Sequence, residues 1–288
     1  MNNKFFSSIE NNYNGWNIDE LKRVNDYLEY DPLLEKRDKW DHYEFFGVNV
    51  PRVTEILRDT IGKGYLTKWA AGLGPDYEEE NAKILDTGTL VHAMIEDFIN
   101  TGHYKDTYEG CDKADIVKAM KAYDNFLKFW ESMKSNGYII NPIFTEKEVV
   151  TPWFGGTIDF CAQITNTNTM ESKVFILDFK TSNNISYEYY IQTRLYAEAY
   201  MFLKYNDLLG FGYLPDIDGI GVIRVDKNKD YYEYILADIY HDKAFLDDVY
   251  AAGCTMLEWY YKMHGLYYKC KAFRKSYMAG GGINGLYK

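Results

Sequence analysis

The order in which the hydrophobic period changes along this chain limits its fold more than any other feature. Over residues 113–135 apolar side chains recur at helical spacing, through Ile116, Met120, Tyr123, Leu127 and Trp130. Gly137 ends that run, and the period then switches. Residues 138–150, 155–164 and 173–180 are rich in Ile, Val, Phe and Thr and read as strands. The polar stretch from Thr165 to Ser172 between the last two reads as a hairpin loop. A helix is expected over 186–206, strands over 218–226 and 231–239, and a final helix over 241–264. Upstream, residues 1–50 read as an irregular, aromatic-rich lead-in with one helix near 18–30, and further helices are expected at 53–60, 64–72 and 77–100. The pattern predicts an α/β fold: a central mixed β-sheet flanked by helices, with a helical N-terminal part. Neither an internal repeat nor a low-complexity linker interrupts it. We divide the chain into a lead-in (1–50), a central domain (51–265) and a basic, aromatic tail (266–288).

The strands carry polar groups in an order that points to chemistry. They read Gly155-Gly156-Thr157-Ile158-Asp159, then Asp178-Phe179-Lys180-Thr181, and the next helix carries Gln192-Thr193-Arg194-Leu195-Tyr196. Strand side chains alternate between faces, so Asp178 and Lys180 share one and Phe179 takes the other. If 155–164 pairs with 173–180, Asp159 projects beside them. Two carboxylates and the Phe179 main-chain carbonyl are hard oxygen ligands of the kind Mg²⁺ or Mn²⁺ takes. Lys180 can orient a water or offset charge growing on a phosphoryl group. Gln192 and Tyr196 are one turn apart on one helix face and can support the lysine or a substrate. Upstream, His92 and Glu96 are also one turn apart. The histidine can add a nitrogen ligand, which tilts preference toward Mn²⁺, with Glu96 orienting it from behind. Glu146 and Glu148 share a strand face, and one of them can serve as an outer carboxylate.

An Asp-x-Lys by itself is as readily an ordinary surface ion pair, and Tyr196 by itself is as readily a core residue. No nucleophile elbow and no phosphate-binding Gly-Lys-Ser/Thr loop is present, which argues against serine-hydrolase chemistry and a built-in ATP motor. Cys111, Cys161, Cys254 and Cys270 are far apart, so free thiols are expected and no iron–sulfur cluster.

A net charge of −11 disfavours a general nucleic-acid coat protein. The charge is uneven, however: residues 261–288 hold six Lys or Arg and no acid, interleaved with tyrosines. Lys269, Lys271, Arg274 and Lys275, with Arg194 upstream, are candidate contacts to single-stranded DNA, and a solvated helix end explains the tail equally well. No run of 18 apolar residues suggests a membrane span, and the first residues lack an apolar leader, so a cytoplasmic protein is expected.

Taken together, the motifs resemble the PD-(D/E)xK nuclease superfamily, in its RecB-like exonuclease branch. The resemblance rests on the helix with His92 and Glu96, on Gly156 to Asp159, on Asp178-Phe179-Lys180-Thr181 and on Gln192 to Tyr196. Pro51-Arg52-Val53-Thr54-Glu55-Ile56-Leu57 also looks like a segment common in phage members and in mitochondrial genome maintenance exonucleases. It covers roughly residues 51–205. It implies a restriction-endonuclease-like core and one or two Mg²⁺ or Mn²⁺ ions. It also implies hydrolysis of DNA from a free, single-stranded end, in a bacterial or phage-infected cytoplasm. His92, Asp159 and Asp178 would be ligands, Lys180 catalytic, and Gln192 and Tyr196 supporting. Any unwinding would fall to a helicase, with a recombinase or single-strand-binding protein as further partners. An endonuclease on the same site, or a non-catalytic DNA-binding or assembly module on this fold, are the alternatives.

Overall fold

A computed structural model of the chain describes residues 43–45, 48–61, 77–104 and 111–279. The element order is β1 (Tyr43–Phe45), β2 (Val48–Val50), α1 (Val53–Thr60), α2 (Tyr77–Thr101), α3 (Lys113–Ser135), β3 (Tyr138–Val150), β4 (Gly155–Asn166) and β5 (Ser172–Lys180). There follow α4 (Tyr187–Tyr205), β6 (Gly219–Val225), β7 (Tyr232–Asp238) and α5 (Lys243–Ala279). The fold is α/β, with helices preceding a five-stranded mixed sheet of order β3-β4-β5-β6-β7. β4 and β5 are antiparallel, β5 and β6 parallel, and β6 and β7 antiparallel. The α4 crossover between β5 and β6 is what makes that one pair parallel.

Three expectations need correction. The sequence predicts an irregular lead-in up to residue 50, yet 43–45 and 48–50 form the antiparallel pair β1–β2, with Tyr43 opposite Val50. Strands this short leave no detectable alternation. The final helix does not stop near 264 but runs to Ala279, because Gly265 is tolerated inside it. Lys269, Lys271, Arg274 and Lys275 therefore lie on a helix, with their side chains outside the described residues. On α3 the apolar stripe is rotated: Met120 is 41% exposed, while Ala119, Tyr123, Phe126, Phe129 and Met133 are buried. The helices expected near 18–30 and 64–72 fall outside the described residues.

The chain divides into two compact units. In the smaller, Tyr260 donates to Glu55 (2.9 Å), Tyr261 to the Trp153 carbonyl (2.5 Å), and the Gly155 amide to the Pro51 carbonyl (2.9 Å). The larger unit holds nearly all of the five-stranded sheet, β3 to β7, with α2, α3 and α4.

Its core is aromatic. Met94 and Ile95 of α2 and Phe126 and Phe129 of α3 pack with Phe160, Leu177, Phe179 and Ile223 of the sheet. Phe160 and Phe179 stack at 6.0 Å between ring centres, and Phe126 meets Phe179 edge-on at 5.7 Å. Each such ring withdraws apolar surface worth about 2–3 kcal/mol. Asp112 caps α3 by accepting from the Ala114 amide at 2.7 Å. Thr87 donates to Asp115 at 2.9 Å and ties α2 to α3. That packing fixes the height of His92 on α2 against the end of β5.

Candidate active site

The site begins with Phe179. Its ring belongs to the aromatic core, so its backbone is held by packing rather than by the site itself. Its amide donates to Asp159 Oδ2 at 2.8 Å, and its carbonyl accepts from His92 Nε2 at 3.0 Å. The peptide groups of one core residue thus orient a carboxylate and an imidazole from two other elements. His92 Nδ1, on the opposite side of the ring, lies 3.6 Å from Asp159 Oδ2 and 3.9 Å from Glu146 Oε1. An imidazole that donates one N–H to a backbone carbonyl while the other nitrogen faces carboxylates has the orientation of a metal-ligating histidine. Burial alone would lower the His92 pKa; the Asp159 charge and the facing Glu146 outweigh it and raise it to about 9.

Glu146 reaches this position through unusual backbone. Its φ is +42° in the middle of β3, a conformation that side chains other than glycine seldom adopt. Strand residues in such conformations interrupt the alternation and re-aim a side chain. Sequence reasoning placed Glu146 only as an outer carboxylate beside Glu148, since a left-handed residue inside a strand leaves no mark on composition.

The remaining polar groups of β5 lie beside this cluster. Asp178 is 1% exposed, and Lys180 Nζ approaches its Oδ2 at 2.6 Å. The two form a close ion pair, and neither oxygen of Asp178 accepts a well-aligned hydrogen bond among the described residues. Burial pushes the Asp178 carboxyl up, against the pull of Lys180, and the charges of Asp159 and His92 act on it as well. Lys180 sits over the Tyr189 ring, 5.2 Å from its centre. Burial would lower the Lys180 pKa, and the Asp178 and Asp159 charges more than offset it, so the ammonium is retained.

Gln192 and Tyr196 support β4 from α4. Gln192 Nε2 donates to Tyr196 Oη at 3.0 Å. The tyrosine ring lies directly over Gly156: a Cβ there would stand 2.2 Å from Tyr196 Cε1. The glycine before Asp159 and the tyrosine of the following helix are one packing unit.

The structure brings His92, Asp159 and Glu146 together, with ligand atoms all within 4.8 Å of one another. It sets Asp178 and Lys180 beside them as a pair, and turns the Phe179 carbonyl to His92. Glu96 lines the same cleft one turn along α2. Arg194, expected as a DNA contact, requires correction. It is buried at 1% exposure, pairs with Glu198 and lies over the Tyr250 ring, so it braces α4 rather than meeting solvent. Buried arginines of this kind are spent on internal pairs.

These residues suit a divalent cation. Ligands at about 2.1 Å around an ion stand roughly 3–4 Å apart, so the cluster needs only a small closure. The mixed nitrogen and oxygen donors and the unsatisfied Asp178 nearby favour the same conclusion. A cleft of about 750 Å³ opens over the site, lined by Gly88, His92, Glu146, Lys180, Thr181 and Lys227 among others. Compared with family models and with curated proteins, the chain has no match.

Proposed function

We propose that this protein is a metal-dependent nuclease that hydrolyses DNA phosphodiesters, acting from a strand end. The observation that carries the reading is the joint placement of His92, Glu146 and Asp159 beside the Lys180–Asp178 pair, with His92, Glu146 and Lys180 lining one open cleft. His92, Asp159 and Glu146 would hold Mn²⁺ or Mg²⁺, with Asp178 as the next carboxylate available. The bound cation supplies Lewis-acid polarisation of a phosphoryl oxygen. Lys180, fixed by Asp178 and Tyr189, presents a charge where negative charge grows on the reacting phosphate, and it can hold the attacking water in line. Gln192 and Tyr196 keep β4, and with it Asp159, at a fixed distance from β5. End-directed cutting of DNA rests on the family resemblance, not on the site's geometry.

The test uses end-labelled linear single-stranded DNA and covalently closed circular DNA, with Mg²⁺, Mn²⁺ or EDTA, for wild type and Lys180→Ala. Metal-dependent loss of the linear substrate alone, missing in the variant, is the expected result. Cleavage of the circles would make the enzyme an endonuclease on the same site. A wild type that leaves both substrates intact in every metal would sink the reading and favour a DNA-binding or assembly module.

A further inference from the structure

The cleft contains a cation for which the site described above has no use. β5 and β6 are parallel, with Lys180 opposite Arg224, so the end of β5 and the turn that follows β6 lie at the same edge of the sheet. Ligands of α/β sheets gather at that edge. The β6–β7 turn places Lys227 in the cleft lining, together with Lys180, Thr181, Ser182 and Tyr189.

That turn is held from several directions. Asp226 Oδ1 accepts from the amides of Asn228 (2.8 Å) and Lys229 (2.9 Å). The Asp226 amide donates to the Tyr231 carbonyl at 3.0 Å. Asn125 of α3, fully buried, donates through Nδ2 to the carbonyls of both Asp226 and Lys229, each at 2.8 Å. Arg224 donates to Asp226 Oδ2 at 2.6 Å, to Glu233 at 2.9 Å and to the Ser182 carbonyl at 2.5 Å. The last contact locks the segment after Lys180 to the strand that leads to Lys227. A buried asparagine and a buried arginine therefore fix a short turn whose cleft-facing side chain is a lysine.

Lys227 itself has no direct partner. Among the described residues neither its ammonium nor the Thr181 hydroxyl has an ion pair or hydrogen bond. Burial, and then the charge of Lys118, lower its pKa, against the weaker pull of Asp115 and Asp226. A half-buried, unpaired ammonium on a rigid turn gains from an incoming anion, and the turn itself loses little freedom when it binds one.

We propose that Lys227, with Thr181 of the same cleft wall, binds a backbone phosphate of the substrate strand that flanks the reacting phosphodiester. The proposal rests on the nuclease reading for the identity of the strand. It makes Lys227 a substrate-positioning residue, distinct in role from Lys180.

The test compares wild type, Lys227→Ala and Lys227→Arg in two measurements. The first is anisotropy of a dye-labelled oligothymidylate in EDTA, titrated between about 50 and 200 mM salt. Lys227→Ala should weaken binding about tenfold, as for loss of one charge-assisted hydrogen bond. It should also flatten the log–log salt slope by about 0.7, the loss of a single contact to single-stranded DNA. Lys227→Arg should restore both. The second is Mn²⁺-dependent cleavage: the alanine variant's loss should fall on KM more than kcat. It should also be larger for an oligonucleotide than for the p-nitrophenyl ester of thymidine 5′-phosphate, which has no flanking phosphate. An unchanged salt slope, or an equal loss on both substrates, overturns the proposal. A wild type that binds the oligonucleotide but cleaves nothing removes the nuclease reading, and the salt slope still decides on Lys227. A wild type that does not bind it overturns both.

Discussion

The two ends of β5 are built from the same residue types to opposite effect. At its start, Lys173 Nζ meets Asp238 at 2.9 Å and Glu171 at 3.2 Å. Asp238 also accepts from the Tyr240 and His241 amides, and Asp218 takes the Val174 amide and the Tyr240 hydroxyl. Lys173, Asp238 and Asp218 are each answered there. At its end, Lys180 and Asp178 form a buried ion pair whose carboxylate accepts no well-aligned hydrogen bond among the described residues, and His92 faces Glu146 at 3.9 Å. Burial pushes Asp178 up. At Asp238 burial is outweighed by Lys173, His241 and backbone amides, and the carboxyl is held down at about 2. Lysine, aspartate and histidine side by side do not define a site; what differs here is Asp178, a buried carboxylate whose oxygens accept no well-aligned hydrogen bond among the described residues.

The largest break in this comparison should come from Asp178→Ala or Lys180→Ala. Either should reduce metal-dependent cleavage on the order of 10²–10⁴-fold with little loss of fold, read by initial rates beside a thermal melt. Near-normal rates would place the chemistry elsewhere. Gly156→Ala should come next, because its Cβ would overlap the Tyr196 ring at 2.2 Å. We expect a loss of about 3 kcal/mol in denaturant unfolding, and pairing it with Tyr196→Ala should recover part of that. Glu146→Gln should weaken Mn²⁺ binding about tenfold by calorimetry. The same exchange at Asp238 should leave Mn²⁺ binding unchanged.

The smallest effect belongs to the closed end. A carboxyl whose folded pKa is depressed adds stability above its unfolded value, near 4, and loses it as pH falls through about 2. Asp238→Asn should therefore cost about 1 kcal/mol at neutral pH, after allowance for solvent screening. That difference should vanish on acidification, as melting curves from neutral pH down to about pH 2 would reveal.

Much of this was legible in the residues. The ends of α1 and α3 and all five strands of the sheet lie within two residues of where period and punctuation put them. Long segments with a strong period report their own structure. The Gly156, Asp159, Asp178, Lys180, Gln192 and Tyr196 order also identified the strands and helix that meet at the cleft. What could not be read is tertiary. Arg194 looks like an exposed cation until Glu198 and Tyr250 close around it. Lys227 is one charge in a polar turn until Asn125, from a helix about a hundred residues earlier, fixes that turn. Met120 shows the limit even within one helix, since a stripe of apolar residues does not say which edge of it faces the core.

The left-handed backbone at Glu146 sets stability against the proposed chemistry at a single codon. Glycine there would relieve conformational strain on the order of 1 kcal/mol and delete the carboxylate beside His92. Selection of variants for heat resistance alone should drift toward glycine at this position, and selection for the proposed chemistry should drive it back. Position 146 is thus where an evolutionary experiment can tell which of the two this chain has been kept for.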